Sequence, residues 1–156
     1  MAMIPVSPEK ALSRAQKYCA YQERSQQEVR DKLYSWGLHK REVENILSNL
    51  IGDGFLKEER FAIAFAGGKF RMKKWGKTKI KIALKQKAVS DPLIKTALAQ
   101  ISDSDYRKAL QQVINSKSKL VKETDPFKRK YKIASYAISR GFEPELVWEM
   151  LGTSEE

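Results

Sequence analysis

An all-α array of three tandem three-helix repeats is predicted by three features of this 156-residue chain. Apolar residues recur at helical spacing almost throughout, without strand-like alternation. Capping residues, prolines and glycines cut these stripes into nine segments. The segments also superpose on one another. A shift of 51 residues lays Val29 on Ile80, Leu33 on Leu84, Val43 on Ile94, Leu47 on Leu98 and Leu50 on Ile101. A further shift of 53 lays Ile80 on Ile133, Ile94 on Val147 and Leu98 on Leu151. Gly37, Ala88 and Gly141 fall at one repeat position. Self-similarity at such a period marks a repeat architecture. Units this small cannot bury their apolar faces alone, so neighbours should pack into a continuous, elongated and curved array.

Each segment carries its own signals. Ser7-Pro8-Glu9 offers an N-cap, a first-turn proline and an acidic first turn, before the stripe Ala11, Leu12, Ala15, Tyr18 and Cys19. Ser25 and Glu28 form a capping box ahead of Val29, Leu33 and Trp36, and Gly37 stops that helix. The third stripe is Val43, Ile46, Leu47, Leu50 and Ile51, closed by Gly52 and Gly54. Glu58 and Glu59 start a helix with Phe61, Ala62, Ala64, Phe65 and Met72 on its apolar side. Gly67 and Gly68 inside it cost roughly 1 kcal/mol each, so either another backbone comes close or the helix is weakened. Gly76 breaks the pattern. Ile80, Ala83 and Leu84 then mark a fifth helix, and Ser90-Asp91-Pro92 caps a sixth with Ile94, Ala97, Leu98 and Ile101. The run 102–105 caps Tyr106, Ala109, Leu110, Val113 and Ile114; Asp125-Pro126 caps Tyr131, Ala134, Ala137 and Ile138, ended by Gly141; Pro144 opens Val147, Met150 and Leu151. The expected division is a tail at 1–6, repeats at 7–56, 57–101 and 102–152, and a tail at 153–156.

Composition narrows the function classes. Hydrophobic residues at 42% and charged residues at 31% describe a chain that folds. No apolar run approaches the roughly 18 residues of a membrane span, and the basic-then-apolar order of a signal peptide is missing at the start. Cys19 is the lone cysteine, so no intrachain disulfide forms and a reducing cytoplasm is the expected setting. It lies on the buried stripe and reads as a small core hydrophobe. The lone histidine, His39, sits between helices and supports no nucleophile arrangement. Ser102-Asp103-Ser104-Asp105 reads as a cap rather than a metal site, and Gly67-Gly68-Lys69 lacks phosphate-loop spacing. No enzyme, cofactor or metal is expected.

Charge is the informative feature. The chain carries +11, distributed as +1 over residues 1–56, +8 over 57–103 and +2 over 104–156. Lys69 to Lys87 holds nine basic residues and no acid. Such a field points to a polyanion or an acidic protein surface. The expected contact residues are Lys69, Arg71, Lys73, Lys74, Lys77, Lys79, Lys81 and Lys85, with Lys128, Arg129, Lys130 and Lys132 as a second set. Phe70 and Trp75 lie among the first set, either as core residues at repeat junctions or as surfaces on which a base could stack.

Linked motifs carry a resemblance. Glu58-Glu59-Arg60-Phe61-Ala62 with Phe65, Lys69-Phe70-Arg71, and Trp75-Gly76-Lys77 followed by Lys79-Ile80, Leu84-Lys85-Gln86-Lys87 resemble the central signature of the RecX family of bacterial recombination regulators. Ser25, Glu28, Val29, Lys32, Leu33 and Gly37, followed by Gly52-Asp53-Gly54-Phe55-Leu56, are similar to the family's opening repeat; Ala137-Ile138-Ser139-Arg140-Gly141-Phe142 is similar to its closing one. The family usually has Pro at position 78 and often Gly at position 88, where this chain has Thr78 and Ala88, and often larger residues than Gly67 and Gly68. The resemblance implies an all-helical monomer that binds the RecA recombinase filament on DNA and inhibits ATP hydrolysis and strand exchange. DNA, single- or double-stranded and without sequence preference, is the second expected partner. The competing expectation is an autonomous helical DNA-binding module acting without RecA.

Overall fold

The computed structural model describes residues 6–152, and among them there are nine helices and no strand. They are α1 (Pro8–Tyr21), α2 (Gln26–Ser35), α3 (Lys40–Gly52), α4 (Glu58–Lys73), α5 (Lys77–Gln86), α6 (Asp91–Ala99), α7 (Asp103–Leu120), α8 (Pro126–Ser139) and α9 (Pro144–Leu151). The helix pairs with extended packing all lie within a unit: α1–α3, α4–α6 or α7–α9.

Side-chain caps form on α2, α7 and α8, whereas Ser90 takes the N-cap position of α6 without a side-chain hydrogen bond. Ser25 Oγ accepts from Glu28 N at 3.0 Å while Glu28 Oε1 accepts from Ser25 N at 2.9 Å, completing the capping box. Ser102 Oγ accepts from Asp105 N at 3.1 Å and Asp125 Oδ1 from Phe127 N at 3.3 Å. His39 is the N-cap of α3, and its backbone N–H donates to Glu42 Oε1 at 2.9 Å. At the shared repeat position Gly37, Ala88 and Gly141 all turn left-handed, with φ of 84°, 63° and 102°. Ala88 adopts this angle despite its Cβ.

Most stripe residues are buried, but four face outward. Ala64, Ile51, Met72 and Tyr131 are exposed, Met72 at 83%. They sit at the edges of their stripes, where periodicity alone does not separate core from rim. At the glycine pair, no backbone approaches. A Cβ on Gly68 would meet nothing within 4 Å, and one on Gly67 would meet only the flexible Arg71 guanidinium at 2.7 Å. Helix α4 is therefore weakened rather than closely packed at these positions. It ends at Lys74, which is left-handed at φ 54°, and not at Gly76.

Within the array the apolar interior is divided in two. Unit 1 has its own cluster, centred on Val29, Leu33, Val43 and Leu50, each fully buried. Units 2 and 3 share another, running from Phe61 through Ile80, Leu84 and Leu110 to Phe142 and Val147. Each such aliphatic side chain contributes roughly 1.5–3 kcal/mol by leaving water.

The two junctions differ accordingly. Between units 2 and 3 the backbones touch: Gly76 N donates to Arg140 O at 2.8 Å and Thr78 N to Gly141 O at 3.0 Å. A Cβ on Gly76 would lie 2.2 Å from the Gly141 carbonyl carbon, so glycine is needed here for close approach, at φ −77°. Buried Tyr106 closes the joint, its ring centroid 5.9 Å from Phe70 and 5.2 Å from Phe142. Its hydroxyl accepts from Lys77 N at 2.9 Å and donates to the Glu143 carboxylate. Burial, then the Glu143 bond, push the phenol pKa well above its usual value. Between units 1 and 2 the contacts are polar. Glu58 Oε2 accepts from Gln26 N at 2.8 Å, Lys87 Nζ meets Glu28 Oε2 at 3.0 Å, and Arg60 Nε meets Glu23 Oε1 at 3.1 Å.

Candidate protein and nucleic-acid interface

The basic stretch does not form one row. The α4 end and the following turn carry Lys69, Arg71, Lys73 and Lys74, while α5 carries Lys77, Lys79, Lys81 and Lys85. Trp75 joins the two. It packs half-buried against the core of units 2 and 3, and the Lys69 and Lys79 ammoniums stand 5.0 and 4.7 Å from its ring centre. Trp75 is thus both packed and part of a cationic surface, whereas Phe70 is core.

Lys77 and Lys81, one turn apart on α5, face Lys95 of α6 across a depression of about 480 Å³. Ile94, Leu98 and Ala99 line it, and Asp91 is the single acid there. That acid lies 3.6 Å from Lys85, which leaves the other three lysines to dominate the local potential. Lys77 Nζ also stands 4.8 Å from the Tyr106 ring centre, and Lys74 Nζ donates to Gln112 at 2.6 Å. The Arg71 guanidinium folds back along α4 toward Gly67.

In unit 3 the second basic set divides by role. Arg129 donates to the Val121 carbonyl at 2.6 Å and to the Ser118 carbonyl, satisfying the end of α7. Lys130 Nζ donates to Gly152 O at 2.7 Å. These two cations are engaged within the fold. Lys132 lies 3.4 Å from Glu123, and Lys128 is exposed.

Sequence did not anticipate that grooves would join members of the two basic sets, with Lys117, Tyr136 and Arg140 between them. One groove is lined by Met72, Lys73, Lys74, Tyr136 and Arg140; a larger one, about 700 Å³, by Lys117, Leu120, Tyr131, Lys132 and Tyr136. Tyr136 belongs to both. The residues come from α4, α7 and α8, two different repeats, so no local pattern unites them. The exposed Tyr131 and Leu120 were the available signal, and each also fits a helical stripe.

The third helix of each unit is the one that would enter a DNA groove in helix-turn-helix docking. On α6 the exposed side chains are Asp91, Pro92, Lys95, Thr96 and Ala99, and on α9 they include Glu145 and Glu149. Lys95 and Thr96 could reach base edges, but α6 offers no Arg, Asn or Gln, and the exposed carboxylates of α9 would repel phosphate. On α3, Arg41, Asn45 and Asn49 are exposed at suitable spacing, but unit 1 is nearly neutral at +1 over residues 1–56.

Fold and surface together define a tandem array of three-helix repeats with a strongly basic middle and no helix, among the described residues, long and apolar enough to cross a membrane. Family models for the first, second and third three-helix domains of RecX match residues 11–50, 58–98 and 104–151, in that order. The chain belongs to the RecX family of regulatory proteins. It is 30% identical over 145 residues to a regulatory protein RecX of Clostridium acetobutylicum, covering 90% of this chain and 67% of that one. With a regulatory protein RecX of Thermotoga petrophila it shares 30% over 142 residues, covering 91% and 83%. Its fold matches a RecX crystal structure with a TM-score of 0.84 at 22% identity, over 94% of this chain and 72% of that one.

Proposed function

We propose that this chain binds the RecA recombinase filament on DNA and inhibits its ATP hydrolysis and strand exchange, acting as a modulator in recombinational repair without chemistry of its own. Membership of the RecX family over three domains in sequence carries this reading. The surface supports it: a charge of +8 in the middle third suits an acidic protein groove or phosphates. Lys69, Lys73, Lys74, Lys77, Lys79 and Lys81 are the proposed contacts, with Arg71 and Lys85 at the margin. DNA is the second proposed partner, and a cytoplasmic monomer the proposed working form.

The competing reading, an autonomous DNA-binding module, ranks below it. In unit 2 only Lys95 and Thr96 of the third helix could reach bases, in unit 3 the exposed Glu145 and Glu149 would repel phosphate, and the helix that carries Arg41, Asn45 and Asn49 lies in the least basic unit.

Titrating the protein into a RecA ATPase reaction on single-stranded DNA tests the proposal. Inhibition at substoichiometric protein is expected. Unchanged hydrolysis together with tight binding to naked DNA would favour the competing reading. The triple variant Lys73→Glu, Lys74→Glu, Lys77→Glu is predicted to abolish inhibition with an unchanged helical circular-dichroism signal. Full inhibition by that variant would move the contact away from the central unit.

A further inference from the structure

The grooves along α4, α7 and α8 form a track that differs in kind from the lysine rim on α5 and α6. Met72 and Lys73 line both a depression beside Phe65 and Lys69 and the groove that reaches Tyr136 and Arg140. Tyr136 in turn lines the groove that holds Lys117, Leu120, Tyr131 and Lys132. Three depressions are therefore joined through shared walls, from unit 2 across the rigid joint into unit 3. Their linings include lysines and an arginine from α4, α7 and α8, and no carboxylate. Glu123, which neighbours the track through Lys132, is held by Lys132 at 3.4 Å and by the Asp125 N–H at 3.3 Å.

The same track collects exposed apolar side chains. Met72, Leu120, Tyr131 and Tyr136 are 83%, 72%, 61% and 38% exposed. Tyr131 and Tyr136 are separated by about 7.5 Å along the α8 axis at 1.5 Å per residue, so each ring has room for its own ligand group. The Lys117 ammonium stands over the Tyr136 ring, 4.6 Å from its centre, so Tyr131 is the more open of the two rings.

Cations alone suit any polyanion. Cations alternating with solvent-accessible aromatic rings suit a strand whose bases are unstacked, because every base has a π-face and a duplex hides it. A duplex would engage the lysines and leave both tyrosines in water. An acidic peptide would engage the lysines as well, but it brings no planar groups to the rings.

We propose that this track is a binding site for single-stranded nucleic acid, with Tyr131 and Tyr136 as stacking platforms and Lys73, Lys74 and Lys117 taking phosphates; Arg140, one of whose guanidinium nitrogens donates to the Lys73 carbonyl, offers its remaining N–H groups. The site deepens the DNA part of the function proposed above and rests on it; Lys73 and Lys74 are shared with the proposed recombinase contacts, whereas Tyr131, Tyr136, Lys117 and Arg140 are not, so the tyrosine variants test strand binding alone. Loss of strand binding and loss of RecA inhibition are thus separable.

The test is fluorescence anisotropy of the purified full chain with a labelled oligo-dT strand, with the same strand annealed to oligo-dA, and with unlabelled oligo-glutamate as competitor, all at one salt concentration. The single strand is expected to bind more tightly than the duplex. Tyr131→Ala with Tyr136→Ala should weaken strand binding roughly tenfold or more while changing duplex binding little. Tyr131→Phe with Tyr136→Phe should restore it, since the ring and not the hydroxyl stacks. Both positions are exposed, and a thermal melt of each variant verifies folding. Equal strand affinity for the alanine variant and the wild type overturns the proposal. So does a parallel loss for strand and duplex, or displacement of the strand by oligo-glutamate as readily as by unlabelled oligo-dT, which would make the track an acidic-peptide surface. A RecA ATPase reaction run in parallel reads the regulatory function independently.

Discussion

Single backbone angles show where this chain departs from an ideal repeat. Gly37, Ala88 and Gly141 share one repeat position and one left-handed turn, but only Ala88 carries a Cβ there. The left-handed region costs an ordinary residue about 1–2 kcal/mol, and glycine gives back roughly 0.5–1 kcal/mol through its freer unfolded chain. We predict that Ala88→Gly stabilises the protein by up to about 1 kcal/mol, read as a rise of about 2–4 °C in melting temperature. Gly68 presents the opposite case: it sits within α4, and a Cβ there would enter open space. Gly68→Ala should therefore add about 1 kcal/mol from helix propensity alone. A drop in melting temperature for either variant would contradict the turn geometry or the free space described here.

At the scale of elements, the helices were largely legible and the joints were not. Caps such as Ser25 with Glu28, and turns such as Gly37, are local patterns whose hydrogen bonds close within a few residues. The contact of Gly76 with Gly141 joins positions far apart in sequence, and each glycine read separately as a helix stop. The same holds for Tyr106, which reads as one more apolar stripe residue although its hydroxyl bridges Lys77 N and Glu143. The candidate site was legible only in part for a related reason. Composition located the basic stretch, but its division around Trp75, the internal engagement of Arg129 and Lys130, and the track through Tyr136 all depend on which elements meet. A methyl group at Gly76 would force the Gly141 backbone away and strain both bonds across the joint. We predict that Gly76→Ala costs about 3 kcal/mol, measured as a lowered denaturant midpoint with an unchanged helical signal at low denaturant. A loss under about 0.5 kcal/mol, the range of an ordinary surface change, would show that the backbones are not in contact.

For the whole molecule, the decisive fact is that one joint is apolar and backbone-bonded and the other is charged. Glu58 shows how the second works: burial pushes its carboxyl pKa up, against the opposing effects of the Gln26 N–H bond and the Arg30 charge. A carboxyl whose folded pKa lies above its unfolded value binds protons more readily in the folded state. Its contribution to stability is present below the unfolded pKa and is lost as pH rises through the folded one. Glu58→Gln keeps an oxygen for the Gln26 N–H and removes the charge, so it should match or exceed wild-type stability at neutral pH and flatten this part of the pH profile. Glu58→Ala leaves that N–H without its protein acceptor and should cost about 1 kcal/mol. Thermal melts from pH 4 to 8, read as values typical of a carboxyl titration, distinguish the two; identical curves for both variants would remove Glu58 from the joint.

Couplings in series do not share deformation equally, and the softer one takes most of it. The 76–141 seam ties units 2 and 3 backbone to backbone, whereas Lys87 with Glu28, Arg60 with Glu23 and Glu58 with the Gln26 N–H hold unit 1, so we predict that unit 1 is the part that moves. Ionic strength then acts as a mechanical variable, because raising it to about 1 M shortens the screening length to roughly 3 Å and loosens the hold on unit 1 before it touches the seam.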